Sequence, residues 1–219
     1  MKLLLRSVLP LVALAGLLGS ARADMLTYNF SGQVSTILHD DSANTFSSTF
    51  AVGNAVNGTF TIDTAAAGTP LLPWVTAYAA SFTLDINGQL FAGSAQYRIF
   101  DDASDGDGFS IINETGTYSS PALGSLISET FFLQFLGMPT NTLSDQSLIP
   151  DPTAFIPLAD PLAGPHGLRL HTRGGDAEDY GALYFTVDSV TGVPDSGATV
   201  GLLGAALLGL AALHRRRAA

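Results

Sequence analysis

The chain has 219 residues, with nine Lys and Arg against nineteen Asp and Glu, a net charge of −10, and no cysteine. The missing cysteines remove disulfides, thiol nucleophiles and thiolate metal sites together; they are compatible with an oxidising compartment without arguing for one. Between Arg22 and Arg215 only Arg98, Arg169 and Arg173 stand against all nineteen acids, which leaves that stretch at −16 without a lysine. Such a surface repels nucleic acid and anionic lipid and attracts cations.

The front has three parts: Met1-Lys2-Leu3-Leu4-Leu5-Arg6, an apolar run over 8–18, and Gly19-Ser20-Ala21-Arg22-Ala23. Positive charge holds the start in the cytoplasm, a short apolar helix enters the translocon, and small residues at Ala21 and Ala23 suit signal peptidase. This order predicts a signal peptide over 1–23, cleaved before Asp24. A retained anchor would need a longer run, since about 11 residues do not cross roughly 30 Å of hydrocarbon.

From residue 24 to 192 the pattern has a period of two. Tyr28, Phe30, Gly32 and Val34 alternate with Thr27, Asn29, Ser31 and Gln33, which predicts a strand with its rings on one face. The alternation recurs at Val56, Gly58, Phe60 and Ile62, and at Tyr78, Ala80, Phe82, Leu84 and Ile86. Asn87-Gly88 then predicts a hairpin turn, with a return strand over 89–92. Further strands are expected at 96–100, 109–112, 130–136, 168–172 and 182–190. Many short strands without a helical period predict an all-β domain, an antiparallel β-sandwich or jelly roll, flanked by a signal helix and a C-terminal transmembrane helix. The proline-rich segment 139–165 reads as a long surface connection.

Candidate chemistry lies in the turns. Residues 101–108 hold Asp101, Asp102, Asp105 and Asp107, and against the calcium-loop pattern Asp105, Asp107, Gly108 and Glu114 fall at positions three, five, six and twelve. Ala103 occupies position one, where the pattern wants Asp, and strands flank the loop, so it is no EF-hand; Asp101 or Asp102 would supply the missing oxygen. Calcium is the one cofactor the sequence points to, against the bland reading of a solvated Asp/Gly turn. A second acidic group, Asp176, Glu178 and Asp179, lies near His166 and His171. Histidines five apart on a strand point to opposite faces, which argues against joint ligation. Trp74 and Tyr78 suggest a sugar-stacking pair or, more plainly, core and loop packing. Paired carboxylates are available for glycoside hydrolysis, but nothing selects a pair. No Gly-x-Ser-x-Gly, His-Glu-x-x-His or phosphate-cradling loop occurs. No catalytic residue is assigned, and the expectation is a non-enzyme.

The chain ends with Val193-Pro194-Asp195-Ser196-Gly197, an apolar stretch over 198–213, and His214-Arg215-Arg216-Arg217. As a helix the stretch would measure about 24 Å, enough for a transient or thin-membrane span, with the arginines stopping it on the cytoplasmic side. This three-part tail over 193–219 closely resembles the VPDSG variant of the PEP-CTERM sorting signals. The resemblance implies recognition of Val193, Pro194, Asp195, Ser196 and Gly197 by an exosortase, which removes the helix and the basic stop. It also implies transient insertion in the inner membrane of a Gram-negative bacterium, then a cell-surface or extracellular place among exopolysaccharide and biofilm matrix. The starts Tyr28-Asn29-Phe30-Ser31-Gly32 and Gly58-Thr59-Phe60-Thr61-Ile62-Asp63-Thr64 are similar to segments that recur in exported PEP-CTERM proteins, and import no activity. The expected function is structural or interactive in the matrix, with a carbohydrate-active hydrolase and a calcium-stabilised adhesion module as alternatives.

Overall fold

In the computed structural model, which describes residues 25–42, 44–104, 106–113, 118–119, 126–149, 151–159, 166–172 and 180–193, the alternation becomes strands. They are β1 (Met25–His39), β2 (Ala55–Asp63), β3 (Thr69–Leu72), β4 (Val75–Ile86), β5 (Gln89–Phe100), β6 (Asp107–Asn113), β7 (Tyr118–Ser119), β8 (Leu126–Met138), β9 (His166–Thr172) and β10 (Tyr180–Gly192). Asn87 and Gly88 both take positive φ, 54° and 78°. That is the type I′ geometry that an Asn-Gly pair favours in a two-residue hairpin.

Eight strands follow the chain around a ring. Each of β1, β2, β4, β5, β6, β8, β9 and β10 pairs antiparallel with the next, and β10 pairs back onto β1 from Tyr28↔Gly192 to His39↔Ala182. The all-β antiparallel reading holds, but the sheet is a closed up-and-down barrel and not the sandwich or jelly roll expected. Alternation reveals which face of a strand is apolar, and every strand of a sandwich or a barrel has one such face. It does not reveal whether the last strand returns to the first. Here three register shifts along β1–β10, at Ser31/Gly32, Val34/Thr36 and Ile37/His39, bend the seam, as bulges do in closed sheets. Closure leaves no long open edge for another chain to pair with among the described residues. The two short strands continue their predecessors: β3 meets β4 beyond β2, and β7 meets β5 beyond β6.

An eight-stranded barrel is just wide enough to be filled by side chains, and rings fill this one. Phe82 stacks on Phe131 at 4.1 Å and Tyr28 on Phe60 at 5.0 Å, while Phe30 lies 6.4 Å from both Phe131 and Phe185. Gly58 makes room for this packing, since a Cβ there would stand 2.3 Å from the Phe30 ring. Burial drives the Tyr28 hydroxyl up to about 12, with the Asp151 carboxylate adding to it.

Each end of the barrel is covered. At one end α1 (Thr45–Thr49) buries Phe46, whose backbone N–H donates to the Asp41 carboxylate at 2.8 Å. At the other end the 139–159 segment is no plain surface connection: Leu143, Ile149 and Pro152 are buried, and Leu148, Phe155 and Ile156 pack onto the core. Two 3-10 turns, η1 (Pro152–Ala154) and η2 (Ile156–Leu158), hold it there. The outer ends of β1 and β10 lie at this same end, where the Val193 N–H donates to the Thr27 carbonyl at 2.8 Å.

Candidate functional site

On β10 the inward residues Leu183 and Phe185 leave Ala182 and Tyr184 facing out, and on β8 Phe131 and Leu133 leave Phe132 facing out in the same way. Ala182 sits opposite His39 on β1 and Arg169 on β9. Its single methyl forms the floor of a groove of about 360 Å³, with walls from Leu38, His39, Phe132, Arg169, Tyr180 and Tyr184. Phe132 reaches across Gly167 to meet Tyr184 edge-on at 6.1 Å; a Cβ on Gly167 would stand 2.5 Å from the Phe132 ring. The Tyr180 ring lies 4.6 Å from the His39 ring and 4.0 Å from the Arg169 guanidinium. A planar cation on an aromatic face is attracted by the ring quadrupole. The result is an aromatic groove with the Arg169 guanidinium on one wall, suited to a ligand with flat apolar faces and rim hydroxyls.

A second surface covers β10, β1, β2 and β4 and is rich in hydroxyls and amides. Cross-strand hydroxyls meet at Thr27–Thr61 (3.0 Å), Ser31–Ser189 (2.8 Å) and Thr59–Thr83 (2.8 Å). A shallow depression of about 420 Å³ there is lined by Asn29, Asn57, Thr59, Thr83, Ser189 and the carboxylate of Asp85. Neither groove presents two carboxylates among the described residues that line it.

The acidic turn brings together three of the five residues proposed as calcium ligands. Carboxylate oxygens of Asp101, Asp102 and Asp107 lie within 4.8 Å of one another, while Asp105 and Glu114 fall outside the described residues. Asp107 is fully buried, and its two oxygens accept from the backbone N–H of Asp102 at 2.9 Å and of Leu143 at 2.8 Å. It therefore ties the turn to the end-covering segment. Burial, and then repulsion from Asp102, Asp107 and Asp145, raises the Asp101 carboxyl above its usual range. Three carboxylates offer only part of the six to eight oxygens that calcium takes.

Other expected sites are dispersed. Trp74 is exposed at the β3–β4 tip, whereas the Tyr78 hydroxyl donates to the Gln146 carbonyl at 2.9 Å, so the two form no platform. His166 turns inward, with its Nδ1 accepting from the Gln134 N–H at 3.1 Å. Burial lowers its pKa to about 4. His171 lies on β9, and residues 173–179, including Asp176, Glu178 and Asp179, are outside the described residues. So are Ala21 and Ala23, Pro194, Asp195, Ser196 and Gly197, the 198–213 stretch, and Arg215, Arg216 and Arg217. Among the described residues no helix is long and apolar enough to cross a membrane.

The last strand, β10, ends at Gly192, and in the sequence the pentapeptide Val193-Pro194-Asp195-Ser196-Gly197 follows. Residues 192–217 match the VPDSG-CTERM motif, a PEP-CTERM-type signal. The tail thus marks the chain for export and membrane transit, consistent with processing by exosortase-type machinery. Neither a curated protein nor a solved structure matches the chain.

Proposed function

We propose that the mature protein is a non-catalytic component of the cell surface or extracellular matrix, and that its groove across β1, β10, β9 and β8 binds exopolysaccharide. The supporting observation is the wall of outward-facing rings, Phe132, Tyr180 and Tyr184, beside Arg169 and above the small Ala182. Sugar rings offer apolar C–H faces to aromatic side chains, and Arg169 supplies donors for their hydroxyl or carboxylate oxygens. The sorting tail supports delivery to the place where such polymers lie.

The test is retardation of the processed protein in gels containing the producing cell's own exopolysaccharide. Ala182→Phe, which fills the groove, and Tyr184→Ala, which removes a wall, should each weaken retention about tenfold, equivalent to about 1.4 kcal/mol. Retention unchanged in both variants removes the groove from the reading. Intact mass of the secreted form tests delivery: a product beginning at Asp24 and ending near 193–197 agrees with it, and an untrimmed tail does not.

A further inference from the structure

The barrel end from which the chain leaves carries most of the exposed apolar bulk. Among the described residues, six of the nine exposed large apolar side chains lie there: Met25, Leu71, Leu72, Trp74, Leu158 and Val193. The remaining three, Leu38, Val52 and Leu90, are scattered over the side and the opposite end. Register fixes the placement. Met25 opposes Asp63 and Ile62 opposes Ala80, yet β4 begins at Val75. The β3–β4 hairpin therefore runs on for five residues, about 16 Å at 3.3 Å per residue, on the side of the chain ends.

That hairpin tip is braced. The Gln146 side-chain amide donates to the Pro73 carbonyl at 2.6 Å, and the Asp101 N–H donates to the Trp74 carbonyl at 3.1 Å. The Thr76 hydroxyl donates to Gln146 Oε1 at 2.8 Å. Leu71, Leu72 and Trp74 are thus presented to solvent by fixed backbone, at 42, 50 and 42% exposure. Only five residues, 193–197, separate the end of the barrel from the apolar stretch 198–213. Fully extended, they reach at most about 18 Å.

We propose that, while the tail holds the chain in a bilayer, this barrel end rests on the lipid surface, with Trp74, Leu71 and Leu72 set into the headgroup region. Tryptophan favours that depth because its ring is apolar and its N–H is polar. The same end carries Asp101, Asp102, Asp145 and Asp151, so the surface it fits is zwitterionic, with ammonium groups opposite the carboxylates; anionic headgroups would repel it. The inference rests on the membrane-tethering reading of the tail.

Trp74 is the only tryptophan and reports on itself. The experiment places the full chain in phosphatidylcholine nanodiscs whose acyl chains are brominated near the carbonyl, and compares them with unbrominated discs. Trp74 emission is expected to fall about twofold in the brominated discs and to be shielded from acrylamide, as for an interfacial tryptophan. Leu71→Ser/Leu72→Ser in the full chain, with its circular dichroism unchanged, should lose that quenching, as should discs enriched in phosphatidylglycerol. A chain that floats with the discs while Trp74 stays open to acrylamide and insensitive to bromine overturns the docking alone. Quenching that persists in the double variant, or that grows with anionic lipid, overturns it equally. A chain that fails to float with the discs overturns the tethering reading as well.

Discussion

The Arg169 guanidinium stands 4.0 Å from the centre of the Tyr180 ring, whose surroundings also include His39 at 4.6 Å. A strand-borne cation on an aromatic ring fixes both side chains with little loss of rotamer freedom on ligand binding.

Arg169→Lys should therefore do more than a conserved charge suggests. The ammonium lacks the planar fork, so Tyr180 loses its stacked neighbour at a cost of about 1 kcal/mol. Urea denaturation checks that figure, and weaker retention by exopolysaccharide alongside it would show that the stacked geometry matters for binding. A lysine variant equal to the parent in both measurements would make the contact incidental.

Asp107 joins the acidic turn to the end-covering segment through two backbone N–H groups. Asp107→Ala strands the buried Leu143 N–H and loosens the half-buried Asp102 N–H, and should cost about 1–3 kcal/mol, with Asp107→Asn in between because it keeps one acceptor. Because both Asp107 oxygens are already engaged, calcium should raise the melting temperature only at millimolar concentration. A shift at micromolar calcium would mean that ligands beyond Asp101, Asp102 and Asp107 close a real site.

His166 faces the rings of Phe135 and Phe185 and accepts from the Gln134 N–H. Its pKa is about 4 in the folded chain and about 6.5 when unfolded. The unfolded chain therefore binds the extra proton first, and stability falls as pH drops from about 6.5 to about 4, then levels off. The loss should be about 2–3 kcal/mol relative to His166→Gln, read from denaturation curves at pH 7 and pH 4. Parallel pH profiles for parent and variant would contradict it.

The Tyr97 hydroxyl is buried without a hydrogen-bond partner among the described residues, and burial, followed by the fields of Tyr28, Tyr78 and Asp151, holds its pKa well above the usual value. Tyr97→Phe removes an unsatisfied polar group and should stabilise the barrel by about 1 kcal/mol. A loss of stability in thermal unfolding would reveal a bond that this hydroxyl makes.

Strand positions were legible because each of these strands buries one face: the alternation at Tyr28, Phe30 and Val34 marks β1, and Asn87-Gly88 marks the turn after β4. The ring closure was not legible, since β1–β10 pairing joins residues more than 140 positions apart and leaves no local trace. The groove was missed for a different reason. Its signal is large rings in the outward phase, Phe132 between Phe131 and Leu133, and Tyr184 between Leu183 and Phe185, and only a phase count along each strand would separate them from core. The calcium pattern drew attention to Asp107, and the structure adds a tie it did not reveal, because a motif of oxygens does not tell which backbone N–H groups will reach them.

The seam between β1 and β10 also orders events in time. The first strand must wait for the last before the cylinder can shut, and that last strand ends at Gly192, next in sequence to the sorting peptide. Such distant pairing is slow to form, so closure of the barrel waits on the residues made last before the tail.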